Sequence, residues 1–232
     1  PTHIAKTNAI MQRNRRIGLS ASGVADFVDN RGRTCLTTWL DRGYGFTREY
    51  DKVYSEWLCI RESIRVTTVK PTGTFGLLVG ESPGAHWTPG VTHFMRAVTL
   101  DKDHPVVPRF EEAGYLVETS FYNPSTSVVV YFPVKTSAKR TEREVSIFEK
   151  ADLAADLQRY WSDNGVSVTV SFAEDEKHHV QTVLEEYDSK LKAISFLPMR
   201  DDVYKQPPFG KLSADGYAEW QGKLQKVDYS IM

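Results

Sequence analysis

Val66-Thr-Thr-Val-Lys-Pro-Thr-Gly-Thr-Phe-Gly-Leu-Leu-Val-Gly-Glu-Ser-Pro-Gly-Ala-His-Trp87 is the stretch on which the reading of this chain turns. Val66 to Lys70 suits an extended strand. Pro71-Thr-Gly-Thr74 stops it, and the apolar run Phe75 to Val79 begins at once. Where a strand hands over to a helix, the first backbone N–H groups of the helix lack partners and its dipole adds partial positive charge. Anions collect at such places. Pro71 sets a rigid entry, Gly73 lets the main chain approach a ligand, and the hydroxyls of Thr72 and Thr74 can reach phosphate oxygens. Pro71, Thr72, Gly73 and Thr74 are therefore candidate phosphate ligands. On the residues alone a plain turn, with a threonine capping the next helix, remains the commoner use of such a sequence. Neither GxxxxGK[ST] nor GxGxxG is present.

Working outward, helical and extended signals alternate. Gly18 to Val28 is rich in small residues and reads as a closely packed helix. Thr37 to Tyr54 reads as a second, interrupted around Gly43 and Gly45. Phe94 to Leu100 reads as a strand, and His104 to Ala113 as a short helix stopped by Gly114. Ser127 to Val134 reads as a strand buried on both faces. Glu149 to Trp161 carries Leu153, Leu157, Tyr160 and Trp161 at helical steps, and Val166 to Phe172 alternates at period two. A helix over Glu174 to Leu191, a strand over Ala193 to Leu197 and a helix over Ser213 to Leu224, capped by Ser213, complete the series. The alternation predicts an α/β fold with mainly parallel strands and crossover helices. Lys135 to Arg143 reads as a solvated connection.

The bulk numbers exclude several classes. A chain of 232 residues with 41% hydrophobic and 25% charged content can bury a sizeable core. A net charge of -1 gives no field that would draw nucleic acid or an anionic membrane. Apolar runs are too short for a membrane helix. Cys35 and Cys59 are too few for a disulfide framework, which points to a reducing, cytoplasmic setting. The opening on Pro1 and the stop at Tyr229-Ser-Ile-Met232 suggest a fragment, 1–232 being one partial domain.

Five sequence words occur in order: Asn14-Arg-Arg-Ile-Gly-Leu-Ser-Ala-Ser-Gly-Val-Ala-Asp-Phe27, Thr67-Thr-Val-Lys-Pro-Thr-Gly-Thr74, Ser82-Pro-Gly-Ala-His-Trp87, Tyr160-Trp-Ser-Asp-Asn-Gly-Val-Ser-Val-Thr169, and Leu197-Pro198 leading to Tyr204-Lys-Gln-Pro207. Together they resemble the C-terminal part of the catalytic barrel of adenosylcobalamin-dependent (class II) ribonucleotide reductases, in particular the monomeric type acting on ribonucleoside triphosphates. The resemblance implies a C-terminal half of a ten-stranded α/β barrel. It implies an intact enzyme that reduces the ribose 2′-carbon by a thiyl radical raised with adenosylcobalamin, with a thioredoxin-type reductant and the remainder of the barrel as partners. It also gives Pro71, Thr72, Gly73 and Thr74 the substrate's phosphates, and it puts His86 and Trp87 at the pocket, although a turn-stabilising histidine beside a packed indole explains those two equally.

The departures are as telling. The family's radical cysteine lies in a Cys-x-Glu element, whereas Cys35 precedes Leu36-Thr37 and Cys59 precedes Ile60-Arg61. Both thiols read as small buried groups without catalytic role, so no catalytic residue is assigned and the chain alone is expected to be inactive. A non-catalytic nucleotide-binding module, or a reductase with another radical generator, is compatible with the same absences. His178-His179 shows no metal spacing and reads as a solvated face. Asp163-Asn164 reads as a turn after a helix. No direct nucleic-acid or membrane contact is expected.

Overall fold

The computed structural model describes residues 3–72, 80–88, 93–137, 139–200, 205–228 and 230. They gather into two compact units, each with its own core. The first comprises residues 1–88 and 138–199, the second 89–137 and 200–232. The sequence reading, which took 1–232 as one partial domain, does not distinguish them.

The first unit opens with α1 (Ala5–Asn14), β1 (Leu19–Ser20), α2 (Val24–Arg31), α3 (Arg33–Trp57) and β2 (Thr67–Thr68). After the chain returns from the second unit come α5 (Ile147–Tyr160), β6 (Thr169–Phe172), a 3-10 turn at Glu174–His179, α6 (Val180–Tyr187) and β7 (Ser195–Pro198). Its strand pairings are parallel: β1 with β2, β6 with β7, and a bridge from Val69 to Val166. Parallel neighbours need a crossover, and here helices supply it. α5 turns Leu153, Ala154 and Leu157 into a core shared with Val24, Leu36, Leu40, Val69 and Trp87. Its other buried apolar residues, Ile147 and Ala151, join Val170, Phe172, Val183 and Tyr187. Ser146 caps α5 by accepting from the Glu149 N–H at 3.2 Å.

The second unit holds β3 (His93–Asp101), α4 (Val107–Glu112), β4 (Leu116–Thr119), β5 (Ser127–Lys135), β8 (Phe209–Lys211) and α7 (Ala214–Lys223). Its sheet runs β4-β5-β3-β8 with every pair antiparallel. The α/β class stands, with parallel pairing confined to the first unit. The seven residues between β4 and β5 are too few for a crossover, so that pair can only be a hairpin. Val106, Phe110, Ala113, Val130 and Val227 form its core.

Three expectations are corrected. α3 is one helix of 25 residues, uninterrupted at Gly43 and Gly45. A helical glycine costs only about 1 kcal/mol, and a Cβ on Gly43 would stand 3.5 Å from the Trp161 ring, an ordinary contact. Neither thiol is buried: Cys35 is half-buried and Cys59 exposed, the latter at φ 53° just past the end of α3. Residues 139–143 are more than a solvated connection, because Arg140 is anchored in the first unit.

Candidate functional site

β2 carries the chain to the corner at Pro71–Thr72. Lys70 ends the strand by donating its N–H to the Ser20 hydroxyl at 2.9 Å. Thr72 then takes the left-handed conformation, φ 46°, which is rare for a β-branched residue and marks a strained position. Gly73 and Thr74 lie outside the described residues.

The strap of residues 80–88 wraps the corner. A Cβ on Gly84 would stand 2.5 Å from the Lys70 carbonyl oxygen and 3.0 Å from that of Pro71, and the residue has φ +57°, so only glycine permits this approach. Gly23 caps α2, its N–H donating to the Ser82 carbonyl and that of Val24 to the Gly84 carbonyl, each at 3.0 Å. The first donors of α2 are thus spent on the strap rather than left for a ligand.

Ser22 joins all three pieces. Its Oγ accepts from the Gly84 N–H at 3.1 Å, lies 3.3 Å from the Ser82 carbonyl and meets Thr72 Oγ1 at 2.8 Å. A hydroxyl has one proton. If Ser22 donates to Ser82, Thr72 must donate to Ser22; if Ser22 donates to Thr72, the Thr72 proton is left for a ligand.

Behind the strap, His86 and Trp87 are tied inward. Nδ1 of His86 donates to the Pro83 carbonyl at 3.0 Å while Nε2 accepts from the Thr169 N–H at 3.1 Å. Both ring nitrogens are therefore occupied by a neutral ring, and burial pushes its pKa below the usual histidine value. Trp87 is 4% exposed, and its indole N–H points at the Asp29 carboxylate, 3.2 Å from Oδ1. Arg140 closes this group: its guanidinium donates to Asp29 at 2.8 Å and to Glu149 at 2.8 Å, and lies 5.6 Å from the centre of the Trp87 ring.

Sequence reasoning missed Arg140, Ser22 and the pair Asp26 and Glu81. Ser22 and Asp26 stand within the first quoted word, but their use depends on a strap some 60 positions away. Asp163 and Asn164 do form the turn read for them, but their bonds to β2 were not foreseen. The Asp163 carboxylate accepts from the Val66 N–H and the Tyr44 hydroxyl, each at 2.8 Å, and Asn164 donates to the Thr67 carbonyl at 2.7 Å. The turn after α5 thus clamps the start of β2. A cleft of about 670 Å³ lies there, at the other end of β2 from Thr72, lined by Tyr44, Arg65, Asp163 and Lys192 among others. Arg65 and Lys192 both donate to the Asp163 carbonyl, so these two cations serve the clamp.

Neither Cys35 nor Cys59 is on the elements that build the corner, so the described residues place no thiol there to take up a radical. They include no group of three His, Cys, Asp or Glu side chains suited to a metal ion. His178 and His179 stack on each other, their rings 3.9 Å apart. No described helix is long and apolar enough to cross a membrane.

No protein-family model matches the chain. It is 43% identical, over its whole length, to the adenosylcobalamin-dependent ribonucleoside-triphosphate reductase of Euglena gracilis, of which it covers 32%. It is 39% identical over 96% of its length to a probable enzyme of the same name from Dictyostelium discoideum, covering 30% of that protein. Against the Lactobacillus leichmannii reductase the identity is 32%, over 94% of this chain and 34% of the relative. The chain therefore spans about a third of the length of the curated relatives it matches. A crystal structure of a B12-dependent (class II) ribonucleotide reductase superposes on 94% of the chain with a TM-score of 0.81 at 29% identity, covering 34% of that protein.

Proposed function

We propose that this chain, homologous from end to end to one segment of the adenosylcobalamin-dependent ribonucleoside-triphosphate reductases, supplies the corner that binds the substrate's phosphates in such an enzyme. The whole protein reduces ribonucleoside triphosphates at the 2′-carbon in the cytoplasm, with a thioredoxin-type reductant. The remainder of the barrel is its immediate partner. Adenosylcobalamin, when bound to the intact enzyme, initiates the radical chemistry. No residue described here carries that step.

The observation that carries the reading is the corner itself: a strained threonine at the end of a parallel strand, held from behind by a glycine strap and linked through Ser22. Pro71, which has no N–H of its own, sets the entry, and Thr72, with Gly73 and Thr74 beyond it, takes the phosphates through main-chain N–H groups and hydroxyls. His86 and Trp87 back the strap, so that their contribution to the pocket is to fix its wall. A held triphosphate brings the ribose to one place, and such positioning lowers the entropic part of the barrier.

The test is Thr72→Val combined with Thr74→Val in the intact reductase. If about 1.4 kcal/mol of phosphate contact is lost, the KM for the ribonucleoside triphosphate rises about tenfold. An unchanged KM overturns the assignment.

A further inference from the structure

Asp26 sits in the first turn of α2 and is 2% exposed. One carboxylate oxygen, Oδ2, accepts from the Ser82 N–H. The other, Oδ1, is buried with no donor to accept from. The group facing Asp26 is the carboxyl of Glu81, one residue before Ser82 on the strap. Its Oε2 lies 3.4 Å from the place a Cβ on Gly23 would take, so Glu81 lies over the very start of α2. The Glu81 charge bears on Asp26 and raises its pKa further. Asp29, three residues on, is engaged by Arg140 and Trp87.

Two ionised carboxylates side by side repel, and burial disfavours the charge of Asp26; a single proton lets the two groups hydrogen-bond instead. We propose that Asp26 and Glu81 hold one proton between them, and that this proton locks the strap against the Pro71–Thr72 corner, so that proton binding and substrate phosphate binding reinforce each other. The inference rests on the corner being the phosphate site.

The route is a short series of hydrogen bonds. Asp26 holds the Ser82 N–H, the Ser82 and Gly84 carbonyls cap α2, the Gly84 N–H holds Ser22, and Ser22 meets Thr72. Burial, with the Glu81 charge adding to it, lifts the Asp26 carboxyl to about 6. Loss of the proton takes the pair from one negative charge to two. The strap is then pushed off α2, and negative charge gathers behind the place where the polyphosphate binds. By reciprocity, a bound polyphosphate raises the pair's affinity for the proton.

Asp26→Asn mimics the protonated state, since its amide oxygen can accept from Ser82 while its NH2 donates to Glu81. In the intact reductase, hydrogen–deuterium exchange of residues 80–88 is compared between about pH 5.5 and about pH 8, corrected for intrinsic rate, and KM for the ribonucleoside triphosphate is followed over the same range. In the wild type, strap protection falls and KM rises with pH, by about tenfold more than in Asp26→Asn, the difference falling on KM. Strap protection in the wild type that ignores pH overturns the proposal, as does a variant that follows the wild-type profile. So does expected exchange with coincident KM profiles, because the proton then has no link to substrate. Glu81→Gln provides the same lock from the other partner should Asp26→Asn fail to fold. Thr72→Val is run in parallel: an unchanged KM there sinks the phosphate assignment, whereas exchange of the strap still reads the pair by itself.

Discussion

Asp26 and His86 respond to acid in opposite directions, although both are held by the strap. The folded-state value of Asp26 is raised, so its contribution to stability is full below the unfolded value of 3.8 and is lost as pH rises through about 6. The value of His86 is lowered, so its contribution is present above the unfolded value of 6.5 and is lost as pH falls through the folded one. For His86 the cause is burial of the ring, and an imidazolium also has no lone pair for the Thr169 N–H. His86→Gln, able both to donate and to accept, should therefore flatten the acid side of a melting-temperature profile, and Asp26→Asn the alkaline side. If each variant merely shifts the whole profile, the titrations do not set stability. Asp163 makes a different case, with no change of protonation needed. Asp163→Ala strands the N–H of Val66, a residue that is 0% exposed, and frees the Tyr44 hydroxyl. Urea denaturation should show a loss of about 2–3 kcal/mol.

Among the elements, the legible ones are those whose signals are local. α5 announces itself by Leu153, Leu157, Tyr160 and Trp161 at helical steps, and its observed bounds differ from the reading by two residues at the start and one at the end. α7 and its Ser213 cap, which accepts from the Gly216 N–H at 3.0 Å, were readable for the same reason. α3 was misread because a glycine's cost to a helix is small against the packing of Leu36 and Leu40 into the core. Gly45 has nothing within 4 Å of where its Cβ would be. Gly45→Ala should accordingly stabilise the fold by about 1 kcal/mol in thermal or chemical denaturation. Gly84 is the contrary case, because both its conformation and the Lys70 carbonyl exclude a side chain. Gly84→Ala should cost about 3 kcal/mol and raise KM along with it. A variant as stable as the wild type would show that the strap does not press on the corner. Strand direction was not legible in the second unit, since alternating strand and helix signals are silent on orientation when connections are short.

For the whole molecule, the candidate site is assembled from parts far apart in sequence, and that is why only its centre could be read. Pro71 and Thr72 were visible as a motif, whereas Ser22, Asp26 and Glu81 acquire meaning only once α2 and the strap meet. Arg140 illustrates how far such partners lie apart: it binds Asp29, 111 positions earlier, whose side chain is only 1% exposed. Removing the cation leaves a buried carboxylate that keeps two neutral donors, the Trp87 indole and the main-chain N–H of residue 140. Arg140→Met should then destabilise by about 3 kcal/mol, and adding Asp29→Asn should restore part of the loss. Equal losses in the single and double variants would mean that the guanidinium acts through packing alone. The clamp from Asp163 to Val66 spans 97 positions and has a consequence for birth as well as for the finished fold. As the polypeptide leaves the ribosome at roughly 5–20 residues per second, β2 waits on the order of 5–20 s for the turn that secures it. Strands β3, β4 and β5 emerge and can pair during that interval. A nascent-chain pause before residue 163 would thus leave β2 unsecured, which makes the stretch between 137 and 163 the place where slow codons or a bound chaperone would matter most.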